Sequence, residues 1–222
     1  MAHTVVQAPN SNSNNTGDPC LFSLDTTGCT VAVIFVFNPA GTARSGGLPT
    51  SQGGTWVQVG TAQQAAASPE VSVEMFYMVN PPVNALIVSI PNTGAGKLYL
   101  TFITLTAAAG FTSALDVSTG GNNTSANPSL SLTTTAAGDA VVCCCGGGSD
   151  QSPSAFTHTI IGNFDNGLWY NTAGYNLQVS AGAITMTWTV GSDDWGMLMV
   201  AFKEVRPTPR IPGTNFSNPG LF

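Results

Sequence analysis

The chain has 222 residues, and only 7% of them are Asp, Glu, Lys or Arg, against roughly 25% in an ordinary globular domain. Its net charge of −6 with five basic residues leaves no basic face to neutralise phosphates, so neither nucleic acid nor an anionic membrane is expected as a partner. No segment carries the ~18 consecutive apolar residues that span a bilayer.

Met1-Ala2-His3-Thr4 lacks a basic region followed by an apolar run, so no secretory signal is read. Residues 1–27 read as an extended N-terminal arm and a small loop, because the Asn/Ser-rich run Gln7–Asn15 cannot bury a face. Cys20 and Cys29 flank Leu21–Gly28 and could close that loop, bonded or not. Thr30–Phe37 is β-branched and aromatic, the composition of a buried strand. Asn38–Gly54 reads as a loop. Thr55–Thr61, Val71–Val79, Ala85–Ile90 and Leu98–Thr106 read as strands, punctuated by Asn80-Pro81-Pro82 and Pro91–Gly94. Gly120–Asn127 reads as a Gly/Asn/Ser loop.

The second half repeats the style. Ser129–Thr134, Ala140–Cys145, Phe156–Ile161, Tyr175–Val179, Ile184–Val190 and Trp195–Val205 are expected strands. Alternation puts Cys143 and Cys145 on one face of theirs and Cys144 on the other. Ten or eleven short strands with no helical period imply an all-β, antiparallel, jelly-roll-like β-sandwich over 28–205, with extended arms at both ends. Residues 206–222 form a Pro-rich tail, since proline has no N–H for a sheet ladder. The tail carries Arg206, Arg210, Ile211, Phe216, Leu221 and Phe222, and its large hydrophobes suit docking on a neighbour better than free disorder.

Chemistry is sparse. His158 could pair with Ser152 and Asp150, but no Gly-x-Ser-x-Gly elbow carries a nucleophile, so no catalytic residue is assigned. Glu70 with Glu74 and Asp193 with Asp194 are the only close acid pairs; calcium at Asp193 or Asp194 has no repeat of acidic ligands behind it. Five thiols, three adjacent, fit a reducing compartment. Without Cys-x-x-Cys or paired histidines no metal is expected, nor any cofactor. Trp56, Trp188 and Trp195 read as core. Trp169 and Tyr170, beside Asp165 and Asn166 in an Asn/Gly-rich stretch, read either as a loop pinned to the core or as a stacking platform for a carbohydrate.

Thr55–Gly60 opening on Trp56, then Val71–Tyr77 before Asn80-Pro81-Pro82, and Met186–Thr189 followed by Trp195 and a closing strand to Lys203, resemble β-sandwich domains of bacteriophage virion and bacterial surface proteins over residues 55–205. The resemblance implies a virion location after synthesis in a host cytoplasm. It also implies a structural role as a capsid decoration or fibre subunit, contacting its own copies, with a trimer favoured, and other virion proteins such as a major capsid protein. A carbohydrate-binding adhesin module is the alternative, and an enzyme ranks last.

Overall fold

The computed structural model describes residues 3–7, 18–39, 44, 47–65, 71–92, 97–108, 110–148, 154–165, 169–190 and 193–206. Among them are sixteen strands and no helix: β1 (Thr4–Gln7), β2 (Cys20–Asp25), β3 (Val31–Asn38), β4 (Thr50–Ser51), β5 (Val57–Gln58), β6 (Gln63–Gln64), β7 (Ser72–Val79), β8 (Ala85–Ile90), β9 (Tyr99–Thr106), β10 (Thr112–Ser125), β11 (Ser129–Thr134), β12 (Ala140–Gly147), β13 (Thr159–Asp165), β14 (Tyr170–Leu177), β15 (Gly182–Thr187) and β16 (Asp193–Val205). Every pairing between them is antiparallel.

The expected all-β sandwich is present, built from four layers. Two large sheets lie at the centre, β1-β9-β3-β7-β5 with β6 also on β7, and β10-β16-β12-β14-β13. Two small sheets, β2-β8-β4 and β11-β15, cover their outer faces. Period-2 alternation divides the side chains among three apolar seams. Val31, Val33, Phe35 and Phe37 meet Ala140, Val142, Cys144, Val200 and Phe202 in the middle seam. Ala32, Ile34 and Val36 turn outward onto Leu24, Leu86 and Val88, while Val141, Cys143 and Cys145 turn onto Ile184, Met186 and Trp188. The Cys143/Cys145 and Cys144 split is thus as expected. Covering on both faces explains why β3 and β12 are buried at every position and read as unbroken apolar runs.

The two halves repeat one plan. In residues 3–108, β1 pairs β9, β2 pairs β8 and β3 pairs β7. In residues 110–206, β10 pairs β16, β11 pairs β15 and β12 pairs β14. In each half the third strand also pairs the last. The pairing is therefore nested, outermost strand with outermost, as in a long hairpin rolled up on itself. The rolls meet through their large sheets, where Tyr77 and Phe202 stack edge to face with ring centroids 5.3 Å apart. The approach is close at Gly146, where an added Cβ would lie 2.8 Å from Cγ1 of both Val71 and Val73.

Three assignments need correction. Thr4–Gln7 and Cys20–Asp25, read as arm and loop, are sheet strands, so the folded unit begins well before residue 28. Residues 112–125, the last six of which fall in the expected Gly120–Asn127 loop, form a fourteen-residue strand. β14 begins at Tyr170, five residues before the expected strand Tyr175–Val179, so its first residues are strand where the Asn/Gly-rich stretch read as loop-like.

Candidate functional site

Strand directions collect both described chain ends at one pole. β1 starts there, with Thr4 opposite Thr106, and β16 ends there, with Val205 opposite Thr112. Arg206 places its guanidinium 6.0 Å from the centre of the Phe111 ring. The described ends of the connection between the halves, residues 107–108 and 110–111, lie at the same place, and a buried polar network fills it.

His3 is fully buried. Its Nδ1–H donates to the Gly138 carbonyl at 2.9 Å and its backbone N–H donates to the same oxygen at 3.3 Å. Its Nε2 lies 2.9 Å from Ser113 Oγ, itself 2.7 Å from Thr30 Oγ1, which accepts from the Ala107 amide at 2.9 Å. One set of protons satisfies the chain: Ala107 donates to Thr30, Thr30 to Ser113, Ser113 to Nε2. That set requires a neutral imidazole. Burial lowers the His3 pKa, while the Gly138 carbonyl and nearby Glu204 pull the other way. Glu204 accepts from the Ala108 amide at 2.8 Å, fixing the end of β16 to the connection.

One residue beyond Gly138 stands Asp139, fully buried, with neither carboxyl oxygen accepting a hydrogen bond. Its neighbour Asp116 is well supplied: the Thr135 amide donates at 2.7 Å, the Thr135 hydroxyl at 2.5 Å and Lys203 Nζ at 3.4 Å. Burial and the facing Asp116 push Asp139 up to about 7. Burial alone would raise Asp116 too, but hydrogen bonds from Thr135, Asp139 and Lys203 hold it below the usual carboxylate range. The acid pair is satisfied when Asp139 carries a proton and donates it to Asp116. The Ser113–His3 contact has the atoms of a nucleophile and base, but Ser113 is only 2% exposed, and a nucleophile must reach its substrate.

The sequence-level candidates sit elsewhere. Trp169 is 9% exposed and Tyr170 fully buried. Trp169 packs against Tyr99 and Phe164 with centroids 4.6 and 5.4 Å apart, and the Tyr170 hydroxyl is 3.8 Å from Cys145 Sγ. Of the two readings, the burial fits aromatics pinned into the core: Trp169, just before β14, and Tyr170, its first residue, enter adjoining seams, which leaves little stacking face for a sugar ring. Asp165 ends β13; Asn166 lies outside the described residues. Of the assembly residues only Arg206 is described, and it is exposed; Arg210, Ile211, Phe216, Leu221 and Phe222 lie outside, as do Asp150, Ser152 and Glu70.

His158 caps the seam under β11-β15. Its ring stands edge-on to Trp188 at 4.5 Å and to Phe156 at 5.8 Å. Both ring nitrogens are buried without a hydrogen-bond partner, and burial lowers its pKa to about 4. It borders a shallow groove of about 520 Å³ lined also by Phe156, Tyr175 and Asn176. All five cysteines are free. Among the described residues no group of three or more His, Cys, Asp or Glu could hold a metal ion.

No family model, no curated protein and no solved structure matches the chain. Sequence reasoning passed over the polar junction because its members are scattered from residue 3 to residue 204, and only the nested pairing brings them together.

Proposed function

We propose that the chain is a structural subunit of a bacteriophage particle, a capsid decoration or fibre protein held to neighbouring subunits through its chain ends. The observation that carries this reading is the single pole at which His3 and Glu204–Arg206 emerge, tied to the junction of the two halves by hydrogen bonds at His3, which are buried, and at Glu204, which is partly so. Segments leaving from one anchored place can pull on one neighbour without prying the layers apart. The low charge supports the same reading, since interface cores are depleted in charged residues. Nested pairing in each half supports a jelly-roll-like unit, an architecture that capsid and lectin domains use.

Removing 207–222 tests the proposal. Because β1 and β2 belong to the sheets, an N-terminal deletion would damage the fold, whereas the tail can be removed beyond the last sheet residue. The shortened protein is expected to keep its thermal unfolding and to lose co-sedimentation with particles that bind the full chain. Undiminished co-sedimentation would overturn the role of the tail, and failure of the full chain to bind any particle would overturn the reading.

A further inference from the structure

β10 lies at the edge of its five-stranded sheet, and no described strand pairs its outer side. Edges of this kind are normally protected by shortness, bulges, proline or inward charge. The other large-sheet edges follow that rule: β1 has four residues, β5 and β6 two each, and β13 is broken by a bulge at Ile160/Gly162. β10 has fourteen residues. Its own bulge, between Leu115 and Val117, and its one charge, Asp116, lie toward the pole of the chain ends. Beyond them Val117–Ser125 runs without a register shift against Ala201–Asp193, and contains no charge and no proline.

We propose that this edge pairs antiparallel with the same edge of a second copy, about a two-fold axis through Gly121. Such an axis stands perpendicular to the sheet and keeps each face on its own side, so a residue must oppose its own copy at the centre. The middle of the regular segment is Gly121, where two copies meet without side chains. Thr119 then faces Asn123 of the second copy, and Ser118 faces Thr124. No like charges are opposed, and the sheet continues across both molecules. A second copy fits better than an unrelated strand because the segment is uncharged and complementary to itself. The inference stands on edge geometry and does not depend on the particle reading.

Cysteine scanning in a Cys29→Ser background reads the axis directly. Across an antiparallel pair, opposed Cα atoms are about 4.5–5.5 Å apart, within disulfide reach. Gly121→Cys is expected to give a covalent dimer on mild oxidation. Ser118→Cys is not, since its two copies would sit six residues out of register, ~20 Å apart. Light scattering on the purified full chain is expected to give a dimer. That dimer should be lost in Thr119→Lys/Asn123→Lys, where lysines oppose each other, and kept in Thr119→Lys/Asn123→Asp, with thermal unfolding checked for each. A monomer or trimer of the wild type, or equal cross-linking at 118 and 121, would overturn the proposal even if particle binding holds.

Discussion

The His158 ring lies directly on the backbone of Gly174: a Cβ at residue 174 would come within 2.1 Å of the imidazole Cδ2 and 2.8 Å of the Thr159 carbonyl. The ring cannot swing away, because Trp188 and Phe156 hold its other sides. Gly174→Ala is therefore expected to destabilise by about 1–3 kcal/mol, the usual cost of overpacking. Gly174→Ala combined with His158→Ala should recover part of that loss in a denaturant melt. Additive losses would show that the ring is not what excludes the methyl group.

Asp139 makes stability depend on pH in an unusual direction. Its carboxyl titrates near 7 in the folded chain against an ordinary 3.8. Between those values the folded state holds a proton that the unfolded state has lost, so this group's contribution declines as pH rises from about 4 to about 7. Asparagine keeps a donor for Asp116 and cannot ionise. Asp139→Asn is expected to exceed the wild type by about 1–4 kcal/mol at pH 8 and to match it near pH 4. His3 and His158, whose lowered pKa values cost stability below the usual histidine range, act oppositely but cancel in the difference. Urea melts at both pH values decide it, and a pH-independent difference would refute the acid pair.

Arg44 and Glu74 form a buried ion pair at 3.0 Å. Arg44 also donates to the carbonyls of Pro91 and Gly47 at 2.5 and 2.8 Å and lies over the Phe76 ring. Burial raises the Glu74 pKa, and Arg44 opposes the rise. Arg44→Ala leaves that carboxylate alone between layers and should cost about 3–5 kcal/mol. Arg44→Met with Glu74→Leu should cost much less, because no unpaired charge is left buried. A double variant as unstable as Arg44→Ala would assign the loss to the loop contacts instead.

The cysteines should be nearly silent to thiol reagents. Cys143, Cys144 and Cys145 are fully buried, and burial raises all three, Cys145 to about 12. Cys29, half-buried, is pushed up by burial to about 11. A colorimetric thiol assay of the native protein near pH 8 should show at most slow labelling, assigned to Cys29 by peptide mapping. Denaturant should release all five. Rapid native labelling of Cys143–Cys145 would contradict the double-sided burial of β12.

Strands covered on both faces were legible in the chain because burial leaves its mark on composition: Val31–Phe37 and Ala140–Cys145 contain nothing that needs water. β10 was not, because an edge strand half in solvent tolerates Ser, Gly and Asn, and Gly120-Gly121-Asn122-Asn123 resembles a turn in isolation. Its partner β16, far along the chain, settles its conformation. β1 and β2 were hidden for the same reason, each short and stabilised by a distant strand. Trp169 and Tyr170 stayed open between core and surface because neighbouring Asn and Gly suggest exposure, whereas alternation where β14 begins turns the two into adjoining seams. The junction of His3, Ser113, Asp116 and Asp139 had no local pattern to find.

Nested pairing also sets a timetable. Thr4 must wait for Thr106, and Thr112 for Val205, before either outer strand gains its partner. At about 5–20 residues synthesised per second, each wait lasts on the order of 5–20 s. When β9 emerges the first roll can close, yet Val33, Phe35, Val73 and Met75 are not fully covered until Ala140, Val142 and Cys144, and last Val200 and Phe202, have arrived. For that second interval a ribosome carries a finished roll with an incompletely covered apolar face, and expression yield should depend on what shelters it.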